Sequence, residues 1–279
     1  MSVPFVTRPP SAREVERIRL TMSVFCDGSG QEMESDGSTR PGWRDIERAF
    51  ACALGGAGPE NKAVFDVIVP SSRERGVDYG LSIKSKTLSR RTALGDLEVE
   101  GRVYMELTNS PAKLWAPLED RGFTETHFRN QQNPADIGNI VMETVQSWHH
   151  EARQRHPLAF PNRVLNLSQS VYVTVSMDDP RPGRRRQYQI HSFSLAFPRD
   201  IMWSYRSARC LRGTDPAFPD EPLVDWYALS GGQLKYYPRA SACLFRSAVF
   251  ELARPPRALI SERAAAYWPA EWAAASERS

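Results

Sequence analysis

Residues 62–87, KAVFDVIVPSSRERGVDYGLSIKSKT, carry the reading that sets the fold. KAVFDVIVP is a short β-branched and aromatic run closed by Pro70, SSRERG is a polar connection, and VDYGLSIKSKT alternates again. The stretch therefore predicts two strands of one sheet, joined as a hairpin or lying as neighbours. Side chains two apart on a strand share a face. Ser82, Lys84 and Lys86 then project together while Leu81 and Ile83 point the other way, and pairing about SSRERG puts Asp66 roughly opposite Lys84. A carboxylate in a buried strand, followed one strand later by a lysine flanked by apolar residues, is rarely created by structural demands, because burying charge is costly. A metal-binding carboxylate beside a cation that can position water is what metal-assisted phosphodiester hydrolysis requires. Asp78 lies six residues before Lys84, roughly 20 Å along the strand rise, so Asp66 and Asp78 cannot hold one metal with Lys84.

Working outward, Ser11 and Glu14 have capping-box spacing, and Val15, Ile18, Met22 and Phe25 follow at near-helical intervals, which predicts a helix over 11–25. Residues 26–42 read as a loop. A second helix is expected from Trp43 to about Leu54, stopped by Gly55 and Gly56, with Glu47 beside its apolar face. EVEGRVYMELT predicts a further strand, and Pro111 opens a helix with Leu114, Trp115 and Leu118 inward. The longest helical pattern covers 133–154. Strands are expected at 164–177 and 187–197, joined by the basic turn DDPRPGRRR, and VDWYALSGGQLKYY predicts a hairpin. The tail from Pro255 is expected to dock a short helix or fray. With no repeat or linker in view, these elements make one α/β domain over 1–279, a mixed central β-sheet flanked by helices.

With 279 residues, 41% of them hydrophobic and 25% charged, the chain has the composition of a folded globular protein. No apolar run approaches the roughly 18 residues of a membrane span. MSVPFVTRPPS lacks the order of a signal peptide, and Cys26, Cys52, Cys210 and Cys243 form no CxxC pair, so a cytoplasmic chain without structural zinc is expected. Five of the 36 basic residues are lysine and the rest arginine. Arginine is the better fork for phosphates and guanine edges, although a GC-rich genome produces the same bias.

The Asp66 and Ser82-Ile83-Lys84 pattern resembles the PD-(D/E)xK nuclease superfamily, and more narrowly type II restriction endonucleases, over about residues 43–106. Serine stands where an acid is usual. A subset of restriction enzymes cutting around a CCGG core is similar in this respect and takes its missing carboxylate from a glutamate fourteen residues past the lysine, a position held here by Glu98. Glu106 in YMELT competes for that role, and Glu47 resembles the acid that many members carry on the preceding helix. Phe65 replaces the signature proline, and the interval from Asp66 to Ser82 is shorter than in that subset. The resemblance implies a restriction-endonuclease-like fold with a catalytic core at about 43–118 and recognition and dimerisation elements at about 119–254. It further implies a Mg²⁺-dependent, sequence-specific endonuclease that cuts double-stranded DNA as a homodimer. Asp66 and Glu98 or Glu106 would hold the metal, Ser82 would occupy a ligand position, and Lys84 would orient the attacking water.

For DNA contact, Lys86, Arg90 and Arg91 lie near the proposed scissile bond, Arg184, Arg185 and Arg186 near a hairpin tip, and Lys235 beside a glycine turn. His149, His150, Glu151 and His156 lack the HExxH spacing of a zinc helix and read as solvated histidines at a helix end. Neither a P-loop nor a GxSxG motif is present. Two other readings remain open: a non-catalytic DNA-binding protein on a degraded nuclease scaffold, and an interaction domain without nucleic acid.

Overall fold

Ser11 opens helix α1 (Ala12–Ser23) as its spacing predicts: its side chain accepts from the Glu14 amide, and the Glu14 carboxylate accepts from the Ser11 amide. A computed structural model describes residues 2–34, 37–58, 64–88, 94, 101–179, 184–256 and 259–276. After α1 come a small ladder of β1 (Glu32–Met33) and β2 (Thr39–Arg40) and helix α2 (Trp43–Leu54). Asp45 caps the start of α2 by accepting from the Gly42 amide, and Gly55 at φ +64° ends it. Ile18 and Met22 of α1 pack with Ile46, Ala49 and Phe50 of α2.

The quoted stretch forms an antiparallel hairpin of β3 (Val67–Pro70) and β4 (Val77–Thr87). Ser71 holds the connection, donating its amide to Val77 O while its hydroxyl accepts from the Arg73 and Glu74 amides. Beyond it lie β5 (Met105–Thr108), α3 (Pro111–Glu119), α4 (Glu125–Arg129), α5 (Pro134–Ala159), β6 (Val164–Leu165), β7 (Val171–Met177) and β8 (Gln187–Ser194). The last third holds β9 (Met202–Ser207), β10 (Cys210–Asp215), β11 (Phe218–Trp226), β12 (Leu234–Tyr236), β13 (Phe245–Arg246), β14 (Phe250–Glu251), α6 (Ile260–Tyr267) and α7 (Pro269–Ser276).

A seven-stranded mixed sheet is central, in the order β13-β8-β7-β4-β3, with β14 also on β8 and β6 on β4. β4 runs parallel to β6 and β7 and antiparallel to β3. One face sends Leu81, Ile83, Val171, Val173, Val175 and Ile190 into the core shared with α1 and α2. The opposite face contributes Tyr172 and Phe193 to a second core, which reaches α3, α4, α5 and a five-stranded antiparallel sheet, β5-β12-β11-β10-β9. Trp115, Phe128 and Trp226 form its aromatic centre. The architecture is thus mixed α/β, a mixed central sheet flanked by helices.

Several local expectations change: residues 26–42, expected as a loop, include β1 and β2, and of the strand expected over EVEGRVYMELT the described residues form one at Met105–Thr108. The single strand expected over 164–177 is two, because Asn166 and Ser170 bond the turn between them: the Ser170 hydroxyl donates to Asn166 O, and the Ser168 hydroxyl to Asn166 Oδ1. Helix α5 continues past 154 to Ala159, with Pro157 inside its last turn. The C-terminal tail forms α6 and α7. Among the described residues, no helix is long and apolar enough to cross a membrane.

Gly80 tests how tightly the second face of β4 is covered. A Cβ there would lie 2.3 Å from Phe65 Cγ. Gly80→Ala should therefore displace the Phe65 ring and cost about 1–3 kcal/mol as overpacking. Chemical denaturation would read this as a lower midpoint, and an unchanged midpoint would mean that the ring yields freely.

Candidate active site at the β3–β4 hairpin

Asp66 immediately precedes β3, and its amide donates to Leu81 O at 2.9 Å. Val67 pairs with Leu81, so Asp66 lies just before the paired stretch of β3. Lys84 nevertheless reaches back along the same face, its Nζ 3.8 Å from Asp66 Oδ2, with the two side chains 22% and 19% exposed. The Ile83 amide donates to the same carboxylate oxygen at 2.6 Å. Burial pushes the Asp66 carboxyl up, and the Lys84 charge and the Ile83 amide oppose it. The Ser82 hydroxyl, beside this carboxylate and only 1% exposed as a residue, also helps to hold it down.

Glu47 joins the pair from α2. Its carboxyl is pushed up to about 7, first by burial and then by the negative charge of Asp66, against the pull of Lys84, Arg44 and Arg48. Two carboxylates and one ammonium thus share a poorly solvated corner where β3 and β4 meet α2. Glu106 comes from a separate strand. It lies on β5 opposite Lys235 of β12 and accepts from the Tyr104 hydroxyl at 3.4 Å. The charges acting most strongly on Asp66 and Glu47 do not include Glu106. Glu98, Arg90 and Arg91 lie outside the described residues. Among the described residues, no group of three or more His, Cys, Asp or Glu side chains is arranged to hold a metal.

The remaining basic candidates divide into two sets. Lys86 is exposed, with its Nζ 4.9 Å from the Tyr104 ring centroid, and Lys235 Nζ lies 4.4 Å from that of Tyr227. The arginines near the β7–β8 connection are engaged internally. Arg184 donates to Gln187, Arg185 pairs with Glu251 at 3.7 Å, and Arg186 pairs with Glu34 at 2.8 Å and donates to Asp178 O.

Two histidines expected in solvent are buried instead. Because α5 runs to Ala159, His149 and His156 fall on the inward stripe with Val145 and Ala152, a spacing that could have been read from the sequence. His149 Nε2 lies 3.0 Å from the Tyr172 hydroxyl, and its ring stacks on Phe65 at 5.9 Å. Burial above all, with the His150 and Lys84 charges, lowers it to about 4, so it is neutral at pH 7. His156 Nε2 meets Asp78 Oδ2 at 2.8 Å, and Arg163 Nε donates to the same oxygen at 2.6 Å. Asp78 is therefore the buried centre of a clamp between β4, α5 and the residues before β6. Burial alone would raise its carboxyl, but Arg163 and His156 hold it below the ordinary carboxylate range.

Beside Lys84 opens a cleft of about 910 Å³, bounded by β4, α5 and the start of α3. Ser82, Lys84, Phe65 and Tyr172 line one side, and Trp148, His149 and Lys113 another. The sequence reading missed this cleft because its walls come from segments far apart in the chain. No protein-family model, curated protein or solved structure matches the chain.

Proposed function

We propose that this chain is a Mg²⁺-dependent endonuclease of the PD-(D/E)xK, restriction-endonuclease-like kind, acting on double-stranded DNA as a homodimer. The observation that carries the reading is the contact between Asp66 and Lys84 on one sheet face, with Ser82 between them and Glu47 within electrostatic reach. The fit to a divalent cation rests on the same atoms. Burial raises both Asp66 and Glu47, and the Asp66 charge raises Glu47 further, an electrostatic cost that a bridging cation would relieve, with the Ser82 hydroxyl as a neighbouring oxygen donor. Asp66 and Glu47 would hold the ion, with Ser82 beside it. When bound, Mg²⁺ supplies charge stabilisation at the phosphoryl oxygens and acidifies water. Lys84 would orient the attacking water and offset the negative charge that grows on the phosphate. Lys86 and Lys235 would meet the phosphate backbone. Cutting both strands of a palindrome calls for two such sites about a two-fold axis. The exposed Ile260, Tyr267 and Trp268 of α6 and the residue after it offer apolar surface for a second copy.

Incubation of pure protein with long mixed-sequence DNA, with and without Mg²⁺, tests the proposal. Discrete fragments only with the metal are expected, and no cutting would overturn it. A second reading, DNA binding without catalysis, is favoured by the absence of a three-carboxylate group among the described residues. That reading would give salt-sensitive DNA retention and no fragments.

The state of Glu47 sets the pH dependence. Protons compete with the cation for a carboxylate that titrates near pH 7, so cleavage at limiting Mg²⁺ should rise as pH passes upward through about 7. Glu47→Gln should flatten that limb. Its effect on stability has the opposite sense: because the folded value is raised, the ionised form destabilises the fold increasingly above the unfolded carboxylate value, so the glutamine variant gains stability at alkaline pH. A pH–rate profile and paired thermal melts check both, and an unaltered limb in Glu47→Gln would remove Glu47 from the site.

A further inference from the structure

The cleft beside Lys84 is built for more than a phosphodiester. One end carries the Lys84 ammonium and the buried Ser82 hydroxyl. Trp148 lines one side among aliphatic residues such as Val145, Leu158 and Leu165, and Lys113 places its ammonium 5.8 Å from the Trp148 ring centroid. Among the described residues, Lys84, Lys113 and Arg155 line it against one acid, Glu151. At about 910 Å³ the cleft falls within the usual range of small-ligand sites, about 300–1,000 Å³. A stacked duplex is too broad to enter such a space, whereas a single nucleotide withdrawn from its neighbours fits. The Trp148 ring suits the face of a base, and the lining cations suit its phosphate. Neutral His149, bonded to Tyr172, adds a polar edge without adding charge.

We propose that this cleft receives one unstacked nucleotide, with the base against Trp148 and the phosphate toward Lys84. The inference rests on the nuclease reading and deepens it: the substrate strand would be locally unpaired where it meets the site. Withdrawing a base costs a few kcal/mol, which stacking in the cleft would offset.

Calorimetric titration in EDTA tests the cleft apart from catalysis, with deoxyadenosine 5′-monophosphate and deoxyribose 5-phosphate as probes. The nucleotide should bind one site at least tenfold more tightly than the sugar phosphate, and a short single-stranded oligonucleotide should displace it. Base–aromatic stacking is typically worth about 1–3 kcal/mol, so Trp148→Ala should weaken the nucleotide by about tenfold and leave the sugar phosphate unchanged. Trp148→Phe should retain most of the affinity. Ala152→Trp, which fills the cleft from α5 without removing a wall, should abolish binding and keeps the test decisive if Trp148→Ala does not fold. Equal binding of the two probes, or nucleotide binding untouched by Ala152→Trp, would overturn the inference. The nuclease reading fails separately, as absence of Mg²⁺-dependent cutting in a protein that still binds the nucleotide.

Discussion

Lys84→Ala is expected to slow Mg²⁺-dependent DNA cleavage by about 10²–10³-fold, the usual worth of a preorganised charge at a reacting centre. The ammonium lies 3.8 Å from Asp66 Oδ2. On the nuclease reading, its removal would take away the cation that orients the attacking water. It also lets the Asp66 carboxyl climb further, since Lys84 is the strongest force holding that group down against burial. On the proposed reading both changes would act on catalysis. DNA affinity would rest on many phosphate contacts, so binding should stay within about tenfold, or roughly 1.4 kcal/mol. A gel-shift titration in EDTA beside a cleavage time course in Mg²⁺, on the same duplex, separates the two. Near-normal cutting would remove Lys84 from the site. A parallel loss of binding would make it a DNA-contact residue instead.

The largest effect on stability is expected at Asp78. Its side chain is 2% exposed and takes bonds from His156 and Arg163, which are 4% and 32% exposed. Breaking a buried ion pair by removing one partner costs about 3–5 kcal/mol. Asp78→Ala should fall near the lower end, about 3 kcal/mol, because Arg163 can rehydrate. Since the folded value of Asp78 is lowered, its contribution is complete above the unfolded carboxylate value and is lost as pH falls through the folded one. The gap between wild type and variant should therefore begin to close below about pH 4. Denaturant titrations at neutral and acid pH measure it. A gap that widens in acid would contradict the clamp.

The parts legible in the sequence are those fixed by neighbours along the chain. Ser11 with Glu14, Gly55 after α2 and the alternation through Val77–Thr87 depend on caps and on strand parity, so the hairpin and the shared face of Asp66 and Lys84 could be read directly. Register could not: Val67 pairs with Leu81 while Asp66, just before the strand, donates its amide to the same Leu81, and residue spacing alone does not determine that step. His149 and Tyr172 were invisible as a pair because α5 and β7 meet only in the folded chain. The same holds for Asp78 with His156 and Arg163. The split between β6 and β7 depends on side-chain bonds from Ser168 and Ser170, which hydrophobic alternation does not register.

The parallel pairing of β4 with β7 has a consequence for the order of assembly. Asp66 and Ile83 are bonded across 17 residues, whereas Gly80 and Ser170, at the head of the β4–β7 seam, are bonded across 90. Closing the short loop costs little entropy and can happen early, while the long one must wait for β7 and for α5. During synthesis the carboxylate–ammonium pair can therefore form while still bathed in water. Tyr172 and His149, which line the cleft beside Lys84, are added only afterwards. A chain halted before β7 would hold the right residues in the right order, but in a solvent that leaves their chemistry ordinary.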